Sequence, residues 1–336
     1  MSKRVTTLAA AAVILALAVE WAFRGASGMA LVVAVLFWAA ICQGMVALAA
    51  AADLSGARWF LPLRGHLMGI YPLLFAFPAL FLVFSANLSV YPWLGHPTRW
   101  LEPNFFVIRN VALLLLTAVA AHLWSGADRR GARSAKVYCT LYLFSFVVTQ
   151  SLMAFDWVMS LEAPWINTLF GAYFFIEALY LGIAATALVA LLRARRDPAR
   201  YRPVLVDATK LIFGFALLWA GQIFAQYLTI WYGNIPEEVG YVYKRVAVQP
   251  YGAMAVFVLL AMFVLPFGIL VARAAKTHPV PVIAAAGLVM AGYVVEKLVF
   301  ILPAAPVHPV ALALEFVILG VPVAGYLFAR PDAPPS

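Results

Sequence analysis

The chain has 336 residues, of which 65% are hydrophobic and only 11% charged, against roughly 25% charged in an ordinary soluble domain. That balance excludes a soluble globular enzyme and points to an all-α, polytopic transmembrane bundle. The formal charge of +9 does not indicate nucleic acid, because the cations gather in short loops between apolar runs, where membrane topology accounts for them.

Apolar runs of the length that a roughly 30 Å hydrocarbon core requires fall near 5–23, 28–51, 66–90, 104–125, 138–160, 167–192, 210–232, 250–272, 280–302 and 308–329. These predict about ten spans in one integral membrane domain over 1–336. Glu20-Trp21 and the lack of a small-x-small cleavage site favour a retained first span over a signal peptide. Residues 330–336 read as a disordered end. Seventeen Lys and Arg residues fall on the side shared by both termini and five on the other, so the positive-inside rule predicts that both termini are cytoplasmic.

The loops after the third, fifth and seventh spans then face outward, and they hold Trp93, Trp165 and Trp231, with Trp157 close by. Aromatic rings beside Pro and carboxylates suit the headgroup level, so these tryptophans are expected to form an interfacial belt, or else a docking face for an outward partner.

In the fifth span, at about 100° per residue, Tyr138, Tyr142, Ser145, Thr149, Asp156 and Ser160 share one face. A carboxylate at membrane depth costs about 2.5–3.5 kcal/mol on insertion scales, so Asp156 should face protein or water. Glu177, Glu296 and Glu315 bring the intramembrane carboxylates to four. Tyr173 and Tyr180 lie on the face of Glu177 and offer it hydroxyl partners. With Gln222, Gln226 and Thr229 of the seventh span, these residues predict a polar seam between spans five, six and seven. It reads either as a proton route or as interhelical hydrogen bonding.

Glu296 and Lys297 are adjacent, hence about 100° apart on a helix, and are expected to need other partners. Glu315 is the expected partner of Lys297, as a structural ion pair or a proton relay. Arg109 and Asn110 either pair with a carboxylate or, for the arginine, reach the headgroups. His66 and His122, near the inner ends of neighbouring spans, read as a bis-histidine haem site or as hydrogen-bonded or proton-uptake histidines. Cys42 and Cys139 stand alone, so they give no ground for an iron–sulfur or zinc site.

Two segments carry a resemblance. The first is Phe155-Asp156-Trp157-Val158-Met159-Ser160-Leu161-Glu162 with Trp165, Thr168 and Gly171, and the second is Trp231-Tyr232-Gly233-Asn234-Ile235-Pro236-Glu237-Glu238. Together they resemble the second quinone-reductase-like membrane subunit of alternative complex III, a bacterial quinol:cytochrome c oxidoreductase, within the polysulfide reductase (NrfD) superfamily. Ala163 and Pro164 depart from the family's Pro and His, and Asn167 replaces a usual Ser.

The resemblance implies two four-helix bundles, roughly 28–160 and 167–302, flanked by spans 5–23 and 308–329. It also implies a bacterial inner-membrane protein without catalytic residues or a redox metal of its own. Haem c and iron–sulfur clusters would sit in partner subunits: an iron–sulfur protein, cytochromes c and a related membrane subunit. Its role would be to support quinol oxidation and proton translocation, with Asp156, Glu177, Tyr142, Ser145, Thr149, Tyr173, Tyr180, Glu296, Lys297, Glu315 and His122 as candidates for a proton path or quinone site. The alternatives are a quinone-binding anchor of a molybdenum/iron–sulfur oxidoreductase and a secondary transporter, since intramembrane carboxylates also couple cations.

Overall fold

A computed structural model describes residues 3–23 and 25–329; the expected disordered end at 330–336 lies outside the described residues. Ten helices are long and apolar enough to cross a membrane: α1 (Val5–Phe23), α2 (Ala30–Ser55), α3 (Leu61–Ser85), α4 (Pro103–Arg129), α5 (Ala135–Glu162), α6 (Leu169–Ala194), α7 (Pro198–Gly233), α9 (Tyr251–Leu270), α10 (Pro279–Ile301) and α11 (Pro309–Phe328). Between α7 and α9 lies a short amphipathic helix, α8 (Pro236–Val246). No strand occurs among the described residues. The ten-span, all-helical expectation holds.

The third and seventh spans shift most. The third span begins at Leu61 rather than near 66, started by Pro62 in its first turn, and it ends at Ser85. The segment that follows it, Leu88–Val90 and Pro92–Gly95, winds into short 3-10 turns. The seventh helix begins at Pro198 instead of near 210, because Asp197 caps it by accepting from the Arg200 amide at 3.2 Å. At 1.5 Å per residue this helix is about 54 Å long, so it continues past the hydrocarbon at its cation-rich end.

Apart from Gln43, which accepts from Gln150 Nε2 at 3.0 Å, α2 is apolar up to Asp53 and is almost wholly buried, as a helix with no polar face should be. It lies against α6, α5, α3 and α11. At its crossing with α6, Gly44 meets Gly182: a Cβ on Gly44 would lie 1.9 Å from the Ala178 carbonyl oxygen. Only hydrogen fits there, and the close backbone approach is what holds two membrane-type helices together without a hydrophobic driving force.

α4 packs on α5 and α3, α6 packs on α7 and α10, α11 lies along α2, and α1 packs on α11 and α3. The loops at 27–28 and 306–308 are joined by backbone hydrogen bonds, from the Met29 amide to the Pro306 oxygen at 2.9 Å and from the His308 amide to the Ser27 oxygen at 3.1 Å. Gly28 takes φ 63° at this junction, and a Cβ there would strike the Pro306 oxygen. α9 packs on α10 through its first turns, and its later turns, from the π-type turn at Leu260–Val264 onwards, also pack on α7.

Candidate functional site

Two buried ionic centres lie toward the cation-poor end of the helices, and they differ in how completely they are satisfied. The first is built around Asp156 of α5. Residues Ala154–Val158 wind as a π-type turn, a widening of the helix that often marks functional positions, and it aims the carboxylate at α4. Asp156 accepts from Arg109 Nε at 3.0 Å and Nη2 at 2.8 Å, from Asn110 Nδ2 at 2.8 Å and from Trp100 Nε1 at 3.2 Å.

Arg109 also donates to the Trp100 carbonyl at 3.0 Å and lies 4.0 Å from the centroid of the Trp100 ring. One carboxylate faces one guanidinium, and both carboxylate oxygens are occupied. This centre is closed: charge and hydrogen bonding are both balanced.

Its surroundings correct the aromatic-belt expectation. Trp157 is 0% exposed, stacks on Phe81 at 4.8 Å and donates to Asn110 Oδ1 at 2.7 Å. Trp93 is buried and donates to Ser160 Oγ at 3.2 Å, while buried Tyr91 donates to the Trp157 carbonyl at 3.1 Å. These rings plug the end of the bundle because their polar atoms find protein partners there. Burial also drives the Tyr91 phenol well above its ordinary range. Trp231 and Tyr232 are exposed, as a belt would have them.

The remaining stripe of α5 faces α2 and α4. The Tyr142 hydroxyl donates to the Gln43 carbonyl at 2.8 Å, Ser145 to its own helix at Tyr142, and Thr149 shares a 2.8 Å hydrogen bond with Thr117. The seam expected between spans five, six and seven is therefore divided. Tyr138 is only half-buried at the cation-rich end.

The second centre lies between α6 and α10. Lys297 and Glu177 are both 0% exposed. Lys297 Nζ donates to Glu177 Oε2 at 2.5 Å and to Glu296 Oε2 at 3.0 Å. The Tyr173 hydroxyl donates to Glu296 Oε1. Nζ also lies 3.9 Å from the Phe174 ring centroid and 4.5 Å from that of Tyr293, so aromatic faces complete its surroundings.

Here the sequence expectations need correction. Glu296 and Lys297 do pair, because the long lysine stem bends back across the helix surface to its neighbour. Glu315 does not reach Lys297. α11 packs on α1, and Glu315 lies there beside Glu20, with neither of its buried oxygens hydrogen-bonded. Tyr180 is no partner of Glu177 either, since its hydroxyl donates at 3.1 Å to the Met262 carbonyl in the widened turn of α9.

Two carboxylates around one ammonium leave this centre with one negative charge in excess, and Glu177 Oε1 is buried with no hydrogen-bond partner. The centre is open: its second carboxylate has the room and the excess charge to take a proton.

Beside it a cleft of about 330 Å³ is enclosed by α6, α7, α8, α9 and α10, at the lower end of the roughly 300–1,000 Å³ that small-molecule sites occupy. Trp165, Trp219, Gln226, Tyr241, Phe300 and Glu296 are on its wall. Trp165 lies flat on Tyr241 at 3.6 Å, and the Arg245 guanidinium covers the other side of that stack, 3.5 Å from the Tyr241 centroid.

Arg245 Nη2 also bonds Glu162 Oε1 at 3.1 Å and the Phe300 carbonyl at 2.8 Å. α8 is thereby tied over the cleft by Glu162 of the first resembling segment, while the second segment, ending in Pro236, Glu237 and Glu238, starts that helix. Asn234 makes the turn into it with φ 46°, a conformation Asn tolerates. Acidic residues at 237 and 238 favour the helix N-terminus.

Trp165 Nε1 and Gln226 Nε2 are buried and meet no hydrogen-bond partner. Unused donors such as these at an aromatic cleft suit a ligand that brings carbonyl or hydroxyl oxygens. Met159 and Phe155 support the turn into α6. The Met159 sulfur accepts from the Asn167 amide at 3.4 Å, and Phe155 packs where a Cβ on Gly171 would be, 2.8 Å away. Leu161 is buried and Thr168 exposed.

His122 is exposed, its ring edge-on to Tyr71 at 5.7 Å, and it joins neither centre. Among the described residues no group of three or more His, Cys, Asp or Glu is placed to hold a metal ion.

The fold and its buried charges define a polytopic, all-helical protein of the membrane-spanning type. No protein-family model matches the chain, and no curated protein matches it.

Proposed function

We propose that this chain is a proton-handling membrane subunit of a quinol-oxidising complex of the bacterial inner membrane, of the alternative complex III kind. The observation that carries the reading is the double position of Glu296. Its side chain belongs to the cleft wall and to the open Lys297 centre at once.

Quinol oxidation yields quinone, two protons and two electrons. In this reading the quinol ring lies among Trp165, Trp219 and Phe300, its oxygens meet the unused donors of Trp165 and Gln226, and a hydroxyl proton passes to Glu296. Tyr173 and Lys297 connect Glu296 to Glu177, which carries the proton into α6. The electrons leave to iron–sulfur and haem c groups of partner subunits. The isoprenoid tail would enter between α7 and the first turns of α9, where exposed Tyr227, Val256 and Leu259 line the opening.

Titration of the purified chain with a short-tailed quinone tests the reading, because Trp165 and Trp219 should be quenched on binding. Saturable quenching is expected in the wild type, with its loss in Ala255→Trp, which fills the cleft. Linear, non-saturable quenching that is the same in both proteins would contradict it.

A further inference from the structure

At the cation-rich end, on the side of the molecule formed by α2, α6, α10 and α11, a second hollow of about 530 Å³ opens to the surroundings. Its walls are apolar, with Phe37, Leu188, Ile283, Met290, Val323 and Leu327 among them. Trp38 closes its deep end, held by a 3.1 Å hydrogen bond from Nε1 to the Phe316 carbonyl. Its other end is marked by Arg193, Arg195 and Arg196 at the end of α6.

The polarity of this groove is directional. From Arg195 to Ala185, both on its lining, is about 15 Å along α6 at 1.5 Å per residue, half of a roughly 30 Å hydrocarbon core. The groove therefore spans the depth of one leaflet, with its cations at the headgroup level.

The arginines differ in their roles. Arg193 is buried and donates from Nη2 to the Leu327 carbonyl at 3.3 Å, joining α6 to α11 across the groove. Arg195 and Arg196 are exposed, and neither forms an ion pair with another described residue. The nearest acid in sequence, Asp197, is engaged with the Arg200 amide as a helix cap. Two guanidiniums with no ion-pair partner among the described residues, at the mouth of a leaflet-deep apolar groove, match a phosphodiester headgroup above acyl chain.

We infer that this groove binds one anionic phospholipid of the cation-rich-side leaflet, with its phosphate on Arg195 and Arg196 and an acyl chain against Leu188, Met290 and Trp38. The site shares α6 and α10 with the Lys297 centre but none of its charged groups, and it does not depend on the function proposed above.

Native mass spectrometry of the chain, extracted from nanodiscs of equimolar phosphatidylglycerol and phosphatidylcholine, tests the assignment. The wild type should retain one phosphatidylglycerol, at least tenfold over phosphatidylcholine. Arg195→Gln with Arg196→Gln should abolish that preference, while Leu188→Trp, which fills the groove, should lower retention of both lipids. Arg129→Gln with Arg133→Gln, at another cationic loop of the same face, should change nothing. Equal retention of the two lipids by the wild type would overturn the inference. So would an equal loss of preference in the Arg129 and Arg133 variant, which would indicate unspecific attraction, or unchanged retention in Leu188→Trp.

Discussion

Lys297 Nζ lies 2.5 Å from Glu177 Oε2, joining α10 to α6 at a point where neither side chain reaches solvent. The same ammonium serves Glu296 at 3.0 Å, so one cation holds two carboxylates in the interior.

Removing that cation should be costly. Lys297→Met leaves Glu177 and Glu296 facing each other in a buried setting, and breaking a buried pair from one side costs about 3–5 kcal/mol. Thermal unfolding of the purified protein in detergent should show a lowered midpoint. The double variant Lys297→Met with Glu177→Gln should recover part of the loss.

Asp156 should behave as a structural residue. With four donors on its carboxylate, Asp156→Asn leaves the Arg109 guanidinium without its counter-charge. Lower yield and a lowered unfolding midpoint are expected, with proton yield per electron unchanged in whatever assembles. An altered proton yield at wild-type stability would reassign Asp156 to the proton path.

The α2–α6 crossing gives a packing test. Gly182→Ala places a Cβ 2.3 Å from the Gly44 carbonyl carbon, so the helices must part, at about 1–3 kcal/mol by analogy with overpacked cores. Gly214→Ala on α7 meets nothing within 4 Å and should be neutral or slightly stabilising. Comparing the two unfolding midpoints checks this.

A pH effect is expected at the start of α4. Glu102 accepts from the Phe105 amide at 2.7 Å as the helix cap, and this bond, followed by the Asn104 contacts, holds its carboxyl below the ordinary value of 4.5. A carboxyl depressed in the folded state contributes stability that is present above its unfolded pKa and is lost as pH falls through the folded one. The contribution is therefore complete near neutrality and fades in acid below 4.5. In Glu102→Gln this part of the acid dependence of unfolding should disappear.

Span number and helical class were legible in the sequence because both follow from length and apolar composition. The partners of the buried charges were not. Adjacent Glu296 and Lys297 diverge as Cβ vectors, and only the reach of a four-carbon stem brings Nζ back to its neighbour. Similar depth on spans that are neighbours in sequence points Lys297 to Glu315, but order along the chain does not say which helices touch, and α11 lies against α1.

The π-type turn at Ala154–Val158 also leaves no mark in a 100° periodicity, yet it aims Asp156 at α4. The buried tryptophans were misread for a related reason. Trp93 and Trp157 have the composition of an interface belt, and only tertiary contacts supply the acceptors that let their indole N–H groups be buried.

Steady-state turnover of the reconstituted complex with a quinol and cytochrome c, comparing wild type with Glu296→Gln, tests the central claim most directly. General acid–base groups commonly contribute about 10²–10⁴ in rate, so turnover should fall by about 100-fold or more, while short-tailed quinone still quenches the cleft tryptophans and the unfolding midpoint shows an intact fold. Wild-type turnover and wild-type proton release per electron in Glu296→Gln would contradict the account.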